Sequence, residues 1–593
     1  MAQWKLLRVG ADYDALSQKL GIDPVVLRIM KNKNLQTEEE MLEFLDGDER
    51  RIDDYTGFAD LENAILALTE VKKSGKKIRV IGDYDVDGVC ATVILYKGLK
   101  AFGMDVDYAI PHRIADGYGL NENLIMQAYE QGIEAIITCD NGIAAHKEIQ
   151  KAKELGMTVI VTDHHEITQE EQKDGCIKEV LPEASAVVNP KRSDTTYPFR
   201  DICGAYVAYK LMAGLFLGHE DEEYRNLFST DSSFRKELIE FATMATVCDV
   251  MPLVKENRTL VKYGLTIMED SQNTGLAALL QATGLAGKTL RAHHLGFVIG
   301  PCINATGRLD SATRSMELLL CGDVMKAAEM ANEIVKINDA RKNITVLQTE
   351  QAIDMVGKVC GNDKILVLYL PDCHESIAGI IAGRVREAYY RPTLVFTDAQ
   401  EGIKGSGRSV EAYDMYKNLY ECKDLFTKFG GHKMAAGISM PKENLELLRQ
   451  RLNGNTTLTE EDLTEIIKID VDLPFGYANE TFMTDLEKLE PFGMGNSKPV
   501  FAQRNVTFCK ARLVGENRKV AFFTVKDAEG RRYELKFFGD IPRFHNYLDE
   551  KYGEGTAAGL YSGNEVTLSV IYNPEYNTYN GRTTLQYVLK DYS

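Results

Sequence analysis

Three acidic residues, Asp83, Asp85 and Asp87, stand at alternate positions directly after the apolar run 77–82. The run predicts a buried β-strand, and residues 89–102 after the acids predict a helix. If the chain stays extended between them, the three carboxylates project to one side, because residues two apart share a face. Like charges this close need a neutralising cation, and oxygen ligands suit a hard ion such as Mg²⁺ or Mn²⁺. We therefore interpret the segment as a metal site.

Two other interpretations of these acids remain open at this point. The segment matches the first half of an EF-hand calcium loop, but its twelfth position is Ile94 instead of the required Glu, and no helix is predicted before it. A solvated acidic turn is the other alternative, because acids are common in turns.

The elements around the acids decide between these interpretations. Strands and helices alternate from residue 77 to residue 162, which predicts an α/β fold with a doubly wound parallel sheet. Asp140 follows one predicted strand, and His164 and His165 follow another. The carboxyl ends of parallel strands meet at one edge of the sheet, so these side chains are expected beside the three acids. Asp249 lies in an apolar setting at a helix end, and a buried acid must be paired or ligated, so it is a further candidate ligand.

Glycine-rich segments in the second half could bind phosphate. Residues 300–308 are predicted to form a glycine-bounded loop that carries Asn304 and ends in Arg308, whose guanidinium could hold a phosphate. A second α/β unit begins near residue 365 and contains two glycine-rich segments, 405–409 and 430–437. Their glycines would let backbone N–H groups approach a phosphate, with Arg408 and serine hydroxyls as further donors. Plain turns and tight loops are the alternatives for all three segments.

The C-terminal part differs in composition from the rest. Residues 498–543 contain eleven Lys and Arg against five Asp and Glu. From about residue 486 the chain is predicted to form short strands with many aromatic residues, which is typical of a small nucleic-acid-binding barrel of the OB type. An ordinary aromatic β-core is the alternative.

Composition limits the class of protein. The chain has 593 residues, 44% hydrophobic, a net charge of −19 and eleven cysteines. This predicts several folded domains and argues against non-specific coating of nucleic acid. The cysteines form no CxxC pair, and neither a secretory signal nor a membrane-spanning apolar run is found, so we expect reduced thiols, a cytoplasmic location and no membrane association.

Eight motifs occur in an order that identifies a family. They are DYDVDG (83–88), CDNG (139–142), TDHH (162–165), ATVCDVMPL (245–253), GPCINATGRL (300–309), GSGRS (405–409), FGGHKMAAG (429–437) and LEPFGMGNSKPVF (489–501). Together they resemble the DHH/DHHA1 phosphoesterases, and most closely the members that degrade single-stranded DNA. The resemblance runs from about residue 75 to the end of the chain.

The resemblance implies a two-metal hydrolytic site, usually with manganese and alternatively with magnesium. One ion would be held by Asp83, Asp85 and Asp140, and the other by Asp87, Asp140, His164 and Asp249. Asp140 would bridge the two ions, and His165 would orient the site or contact the scissile phosphate.

The resemblance also implies where the substrate binds. A pocket for the 5′ phosphate would consist of Arg113, Arg308, Ser406 and Arg408, with His432 nearby and Asn304 in the same motif as Arg308; Tyr118 would stack on a base. Such a site would digest single-stranded DNA from 5′ to 3′ into mononucleotides during DNA repair and recombination. Candidate partners are a single-strand-binding protein and a helicase, and we expect a monomer.

The chain departs from the family pattern at two places. Cys302 stands where relatives usually carry arginine, and Cys373-His374-Glu375-Ser376 replaces Trp-His-x-Gly. Both changes bear on substrate affinity and terminal preference.

Two alternative functions remain open. One is a phosphodiesterase for short oligoribonucleotides or cyclic dinucleotides, and the other is a non-catalytic scaffold, which would have lost its metal ligands.

The resemblance and the composition together predict five segments. They are an N-terminal helical segment (1–75), a DHH domain (76–320), a long linking helix (321–357), a DHHA1 domain (358–456) and an OB-like barrel (457–593).

Overall fold

The computed structural model describes residues 2–593 except 114–115, 118, 172–176, 516–517 and 580–581. The strands of the described chain are β1 (Gln3–Leu6), β2 (Ile78–Ile81), β3 (Val106–Ala109), β4 (Ala135–Cys139), β5 (Thr158–Thr162), β6 (Gln169–Glu171), β7 (Ile177–Glu179), β8 (Ala186–Val188), β9 (Leu366–Tyr369), β10 (Thr393–Asp398), β11 (Ile403–Arg408), β12 (Lys428–His432), β13 (Ala435–Met440), β14 (Ile466–Ile469), β15 (Val471–Asp472), β16 (Phe501–Val514), β17 (Val520–Lys526), β18 (Arg532–Phe537), β19 (Val566–Tyr579) and β20 (Arg582–Tyr592).

The α-helices are α1 (Tyr13–Leu20), α2 (Pro24–Asn32), α3 (Glu38–Asp46), α4 (Leu61–Lys73), α5 (Val86–Ala101), α6 (Glu122–Glu130), α7 (His146–Glu154), α8 (Gly204–Leu217), α9 (Glu222–Leu227), α10 (Ser233–Cys248), α11 (Lys255–Met268), α12 (Thr274–Ala282), α13 (Ala292–His294), α14 (Gly300–Leu309), α15 (Thr313–Leu320), α16 (Val324–Met355), α17 (Ala378–Tyr389), α18 (Met415–Tyr420), α19 (Leu445–Asn455), α20 (Glu480–Glu487), α21 (Ile541–Tyr552) and α22 (Thr556–Ser562). Among the described residues, none of these helices is long and apolar enough to cross a membrane.

The chain divides into two compact units. One unit contains residues 47–464 and 493–495, and the other contains residues 1–46, 465–492 and 496–593.

The larger unit is built around a five-stranded parallel sheet in the order β3-β2-β4-β5-β8. Apolar helices cover both faces: α5 and α8 pack on one, and α6 and α7 pack on the other. This confirms the predicted doubly wound α/β sheet. The chain adds β3 on one side of β2 and then β4 on the other, so the strand order reverses between β2 and β4. The crevice outside the carboxyl ends of these two strands is where such sheets bind ligands.

A second sheet in the same unit has the order β12-β13-β11-β10-β9. Only β9 and β10 of this sheet are parallel; the other pairs are antiparallel. The long helix expected before it is α16, which has 32 residues. The glycine-rich segments 405–409 and 430–437 lie largely on β11, β12 and β13, so the alternative of two tight loops is wrong.

The predicted loop at 300–308 is also wrong, because these residues form α14. The helix continues directly from a π-helical segment, Leu295–Ile299, and Pro301 lies next to the junction between the two. Its glycines allow close packing instead of turns: a Cβ on Gly307 would lie 2.7 Å from the backbone oxygen of Tyr84. Asn304 and Arg308 are four residues apart and therefore lie on one face of the helix.

The smaller unit contains the predicted OB-type barrel. Strands β16, β17, β18, β20 and β19 pair in that order, and β16 pairs with β19 to close the barrel. Phe508, Phe523 and Phe537 fill the interior of the barrel. Apolar residues of α2 and α3 pack in the same core. The expectation of short strands alone is wrong, because β16 and β19 have 14 residues each and α21 and α22 follow β18.

Glu240 provides a test of the packing in the larger unit. It is buried on α10, and its carboxylate accepts a hydrogen bond from Ser271 Oγ at 2.6 Å. Burial raises the pKa of Glu240 to about 8, from an ordinary value of 4.5. The folded chain therefore holds a proton that the unfolded chain has lost between these two pH values, and stability falls as pH rises through that window.

We expect Glu240→Gln to raise the melting temperature by a few degrees at pH 8 and to change it little at pH 4.5, because the amide never ionises. Thermal unfolding at both pH values checks this, with Glu222→Gln, an exposed residue on α9, as the matched control. An equal shift at both pH values, or the same pattern in the control, would contradict the assignment.

Candidate active site

The three acids after β2 reach the site by different routes. Asp83 lies two residues after the end of β2, and Asp85 caps α5, its Oδ1 accepting a hydrogen bond from Gly88 N at 3.1 Å. Asp87 lies in the first turn of α5. The prediction of one extended run is therefore wrong beyond Asp85, since the helix begins at Val86 and turns Asp87 toward other elements.

The ends of β4 and β5 bring further ligand types to the same edge. Asp140 follows β4 with a left-handed backbone (φ +58°), a conformation that Asp tolerates better than most residues. His164 follows β5, and its Nε2 lies 3.1 Å from Asp140 Oδ1, 3.5 Å from Asp87 Oδ2 and 3.7 Å from Asp249 Oδ2. Asp249 is the C-cap of α10. The structure thus brings Asp87, Asp140, His164 and Asp249 together.

The ligand atoms form compact groups. Asp83, Asp85 and Asp140 make one, Asp87, His164 and Asp249 make another, and Asp140 also groups with His164 and His165; within each group the candidate atoms lie within 4.8 Å of one another. Asp140 and His164 each belong to two groups. The arrangement is a double cluster of hard oxygen and imidazole donors with a carboxylate between its parts.

The electrostatics of these groups fit bound cations. Burial, together with the neighbouring charge of Asp85, raises the pKa of Asp83 well above its usual range. Burial and the charges of Asp87 and Asp85 likewise raise the pKa of Asp140. The same causes raise the pKa of Asp249 to about 8. Within the described chain, both Asp83 carboxylate oxygens are buried without a hydrogen-bond partner. Buried carboxylates in this state are stabilised by a divalent ion, which reverses the local preference for protonation.

Backbone groups of α8 fix one of the acids. Gly204 N and Ala205 N donate hydrogen bonds to the two carboxylate oxygens of Asp87, at 2.6 and 2.7 Å. A Cβ on Gly204 would lie 2.7 Å from Asp140 Cβ, so only glycine lets the helix start approach both acids. Sequence analysis did not identify Gly204, and its local sequence carries no pattern that would reveal this contact.

Asp163 orients the second histidine. It is buried, and its Oδ1 lies 2.7 Å from His165 Nδ1. Burial alone would lower the pKa of His165, but the hydrogen bond and charge of Asp163 outweigh it and raise that pKa to about 9. Asp163 also accepts hydrogen bonds from the backbone N–H groups of Ile143 and His164. It stands in the TDHH motif but was not among the predicted site residues.

We expect Asp163→Asn to lower the rate of metal-dependent hydrolysis by about 10- to 100-fold, because the amide no longer holds the imidazole in one orientation. Steady-state kinetics on a saturating substrate would measure the loss. The matched control is Asp194→Asn, which removes an exposed carboxylate bound to Arg192 at 2.6 Å. Wild-type turnover in Asp163→Asn would show that Asp163 has no positioning role.

A cationic cavity lies next to the acidic cluster. Its volume is about 640 Å³, and Tyr84, Arg113, Ser376 and Ser406 contribute to its lining. The Arg113 guanidinium lies 4.5 Å from the centre of the Tyr84 ring.

Two more of the predicted arginines, Arg308 and Arg408, lie close enough to Arg113 for their charges to interact, but neither is among the residues that line the cavity. Arg308 donates a hydrogen bond to the backbone oxygen of Ser376. Burial, with the nearby charges of Arg113, Arg341 and Arg408, lowers the pKa of Arg308 to about 9. Several arginines in one desolvated region fit an anion such as phosphate.

The remaining predicted substrate residues lie elsewhere or are not described. Asn304 on α14 and His432 on β12 are outside the lining of this cavity. His432 on β12 pairs in register with Ala435 on β13, and Ala435 pairs with Arg408 on β11. His432 therefore lies two strands away from Arg408. Tyr118 lies outside the described residues.

The doubly wound sheet, the acid and histidine cluster at its edge and the second α/β sheet define a metal-dependent phosphoesterase of the DHH class. Family models agree: the DHH family, N-terminal domain, matches residues 77–246, the DHHA1 domain matches 362–456, and the RecJ OB domain matches 469–591.

The chain belongs to the RecJ family. It is 31% identical over 594 residues to the single-stranded-DNA-specific exonuclease RecJ of Bacillus subtilis, covering 99% of this chain and 70% of the relative. It is also 31% identical to the Escherichia coli protein of the same name, covering 84% and 85%. The crystal structure of RecJ with Mn²⁺ from Thermus thermophilus matches with a TM-score of 0.78 and 26% identity, covering all of this chain and 79% of the other. A structure of exonuclease RecJ bound to manganese matches with a TM-score of 0.56 and 32% identity, covering 68% and 95%.

Proposed function

We propose that this protein is a metal-dependent exonuclease that hydrolyses the phosphodiester bonds of single-stranded DNA. The observation that carries the proposal is the double ligand cluster around Asp140 at the switch point of the sheet. The cluster stands in a chain whose relatives are named single-stranded-DNA-specific exonucleases.

The ligand residues would hold two ions, Mn²⁺ or Mg²⁺. Asp83, Asp85 and Asp140 would hold one of them, and Asp87, Asp140, His164 and Asp249 would hold the other. When bound, a pair of such ions supplies an activated water and neutralises charge on the leaving oxygen.

The protein's own groups prepare this chemistry. The α8 amides fix Asp87 so that its carboxylate stays directed at the cluster. Asp163 holds His165 Nδ1, which leaves Nε2 to donate a hydrogen bond to an oxygen of the scissile phosphate. A carboxylate at Nδ1 favours the ring with both nitrogens protonated, and only that form can donate from Nε2 while Nδ1 donates to Asp163.

The cationic cavity sets the position of the strand. Arg113, Arg308, Ser406 and Arg408 bind the terminal 5′ phosphate. In the same proposal Tyr118 stacks on a base, and Asn304 and His432 belong to the substrate-binding residues although they do not line the cavity. A site that binds the terminus and cleaves one bond further along digests DNA from 5′ to 3′ and releases mononucleotides.

The barrel is proposed to bind single-stranded DNA. On its outer surface, Arg512 lies 4.4 Å from the centre of the Phe522 ring, and Lys536 lies 4.6 Å from that of Phe538. Phe538 is exposed although it is large and apolar. Aromatic rings beside basic side chains bind single strands by stacking and by charge.

The wider setting is also part of the proposal. We propose a monomer that acts in the cytoplasm in DNA repair and recombination, beside a single-strand-binding protein and a helicase. Ten described cysteines are free thiols, which suits a reducing compartment. We also propose that the chain divides into five segments, with boundaries at residues 76, 321, 358 and 457.

The test is Mn²⁺-dependent digestion of a 5′-phosphorylated single strand labelled at either end. A duplex, an oligoribonucleotide and a cyclic dinucleotide are digested in parallel. Mononucleotide release from the 5′ end of the single strand supports the proposal. Cleavage of only the two short substrates would assign the protein to the small-substrate phosphodiesterases, and no cleavage of any substrate would favour a scaffold.

A further inference from the structure

Three strands of the second sheet present side chains in rows. β11 pairs with β13, and β13 pairs with β12, in a register that aligns Ser406 with Gly437 and Gly430. The next row on the same face aligns Lys404 with Ser439 and Lys428. The second row therefore continues the face that carries Ser406, with two lysines in place of small residues.

The second row marks the boundary between two cavities. The first is the cationic cavity of about 640 Å³, and the second, of about 660 Å³, extends over Gly402 and Lys442. The residues that line both cavities are Glu375, Lys404, Thr427, Lys428 and Ser439. An anion too large for the first cavity would have to extend past these residues.

Glu375 is unusual in this position. Among the described lining residues of the first cavity it is the only carboxylate. Its side chain is 20% exposed, and its Oε2 lies 2.7 Å from Lys404 Nζ. At this point of the boundary the charge of Lys404 is neutralised and the Glu375 carboxylate lines both cavities, while Lys428 in the same row contributes a further positive charge.

We propose that Glu375, held by Lys404, limits the pocket to a single terminal phosphate and makes the enzyme discriminate against strands that begin with a 5′-triphosphate. This inference rests on the proposed function of the first cavity as the terminal-phosphate pocket. The two additional phosphates of a triphosphate would place more negative charge inside the cavity that the Glu375 carboxylate lines. Like charges placed together in a partly desolvated site oppose binding strongly.

The test measures binding of three short single strands that share one sequence and carry a 3′ fluorophore. They begin with a 5′-hydroxyl, a 5′-monophosphate or a 5′-triphosphate. Fluorescence anisotropy with the full chain in EDTA measures affinity without cleavage. We expect the wild type to bind the triphosphate about tenfold more weakly than the monophosphate.

Two variants of the ion pair should change this ratio in opposite directions. In Glu375→Gln the repulsion is lost and Lys404 is released, so the ratio falls to about threefold or less. In Lys404→Ala the carboxylate loses its counter-ion, so the ratio rises above that of the wild type. Glu446→Gln is the matched control, because Glu446 is an exposed glutamate 3.8 Å from Arg449 on α19, and its ratio should equal that of the wild type.

Four results would overturn the inference, and a fifth would overturn the terminal-phosphate pocket on which it rests. Equal wild-type affinity for monophosphate and triphosphate overturns the inference, as does an unchanged ratio in Glu375→Gln or a reduced ratio in the control. Loss of affinity for all three strands in Glu375→Gln overturns it too, because Glu375 would then maintain the shape of the pocket. If the wild type does not prefer the monophosphate over the hydroxyl, the terminal-phosphate pocket itself fails, which is a separate result.

Discussion

Asp140→Asn should reduce metal-dependent hydrolysis on the order of 10³-fold or more. Asp140 belongs to both the Asp83/Asp85 group and the His164/His165 group, so its loss affects every part of the cluster. Asparagine has nearly the same shape and tolerates the left-handed backbone found here (φ +58°), so the fold should be retained. Digestion of a labelled single strand with Mn²⁺ measures the loss.

Thermal unfolding separates this effect from misfolding. The wild type should gain stability when Mn²⁺ is added, by about 2.7 kcal/mol at 100 times its dissociation constant. Asp140→Asn should melt at a higher temperature than the wild type without metal, because one of several crowded carboxylates is gone, and it should gain much less from Mn²⁺. Asp194→Asn, with its exposed carboxylate, is the control. Normal hydrolysis by Asp140→Asn, or an undiminished response to Mn²⁺, would contradict the assignment of Asp140 as the shared ligand.

Gly204→Ala should lower hydrolysis by about 100-fold although residue 204 contributes no side chain to the site. The new methyl group would lie 2.7 Å from Asp140 Cβ and 2.8 Å from its Cα, so either the start of α8 or Asp140 must move. A movement of α8 also withdraws the amides of Gly204 and Ala205 from Asp87. A displacement of about 1 Å at reacting groups can cost on the order of 100-fold in rate.

Isothermal titration with Mn²⁺ tests the physical reason given for Gly204→Ala, since weaker metal binding should accompany the slower hydrolysis. The matched control is Gly454→Ala on α19, where a Cβ would have no neighbour within 4 Å and alanine favours the helix. Wild-type metal affinity and rate in Gly204→Ala would show that the cluster accommodates the methyl group.

The sequence alone predicted that the acids and histidines of the candidate metal site meet at one edge of the sheet. The alternation of strands and helices from residue 77 placed Asp83, Asp140 and His164 at strand ends, and parallel strands present those ends at one edge. The doubly wound sheet, the long helix and the barrel could also be predicted. Each of these elements has a periodic or compositional pattern within a short stretch of sequence.

The tertiary structure decided the contacts between residues that are far apart in sequence. The segment 300–308 is a helix because its glycines pack against neighbouring backbone, although glycine and proline in a short stretch usually indicate a turn. Gly204 supports Asp87 across 117 positions of sequence, and the second sheet places Lys404 beside Glu375 at the cationic cavity. Such contacts depend on how whole elements pack, and packing between distant elements leaves no signature in the local sequence of either partner.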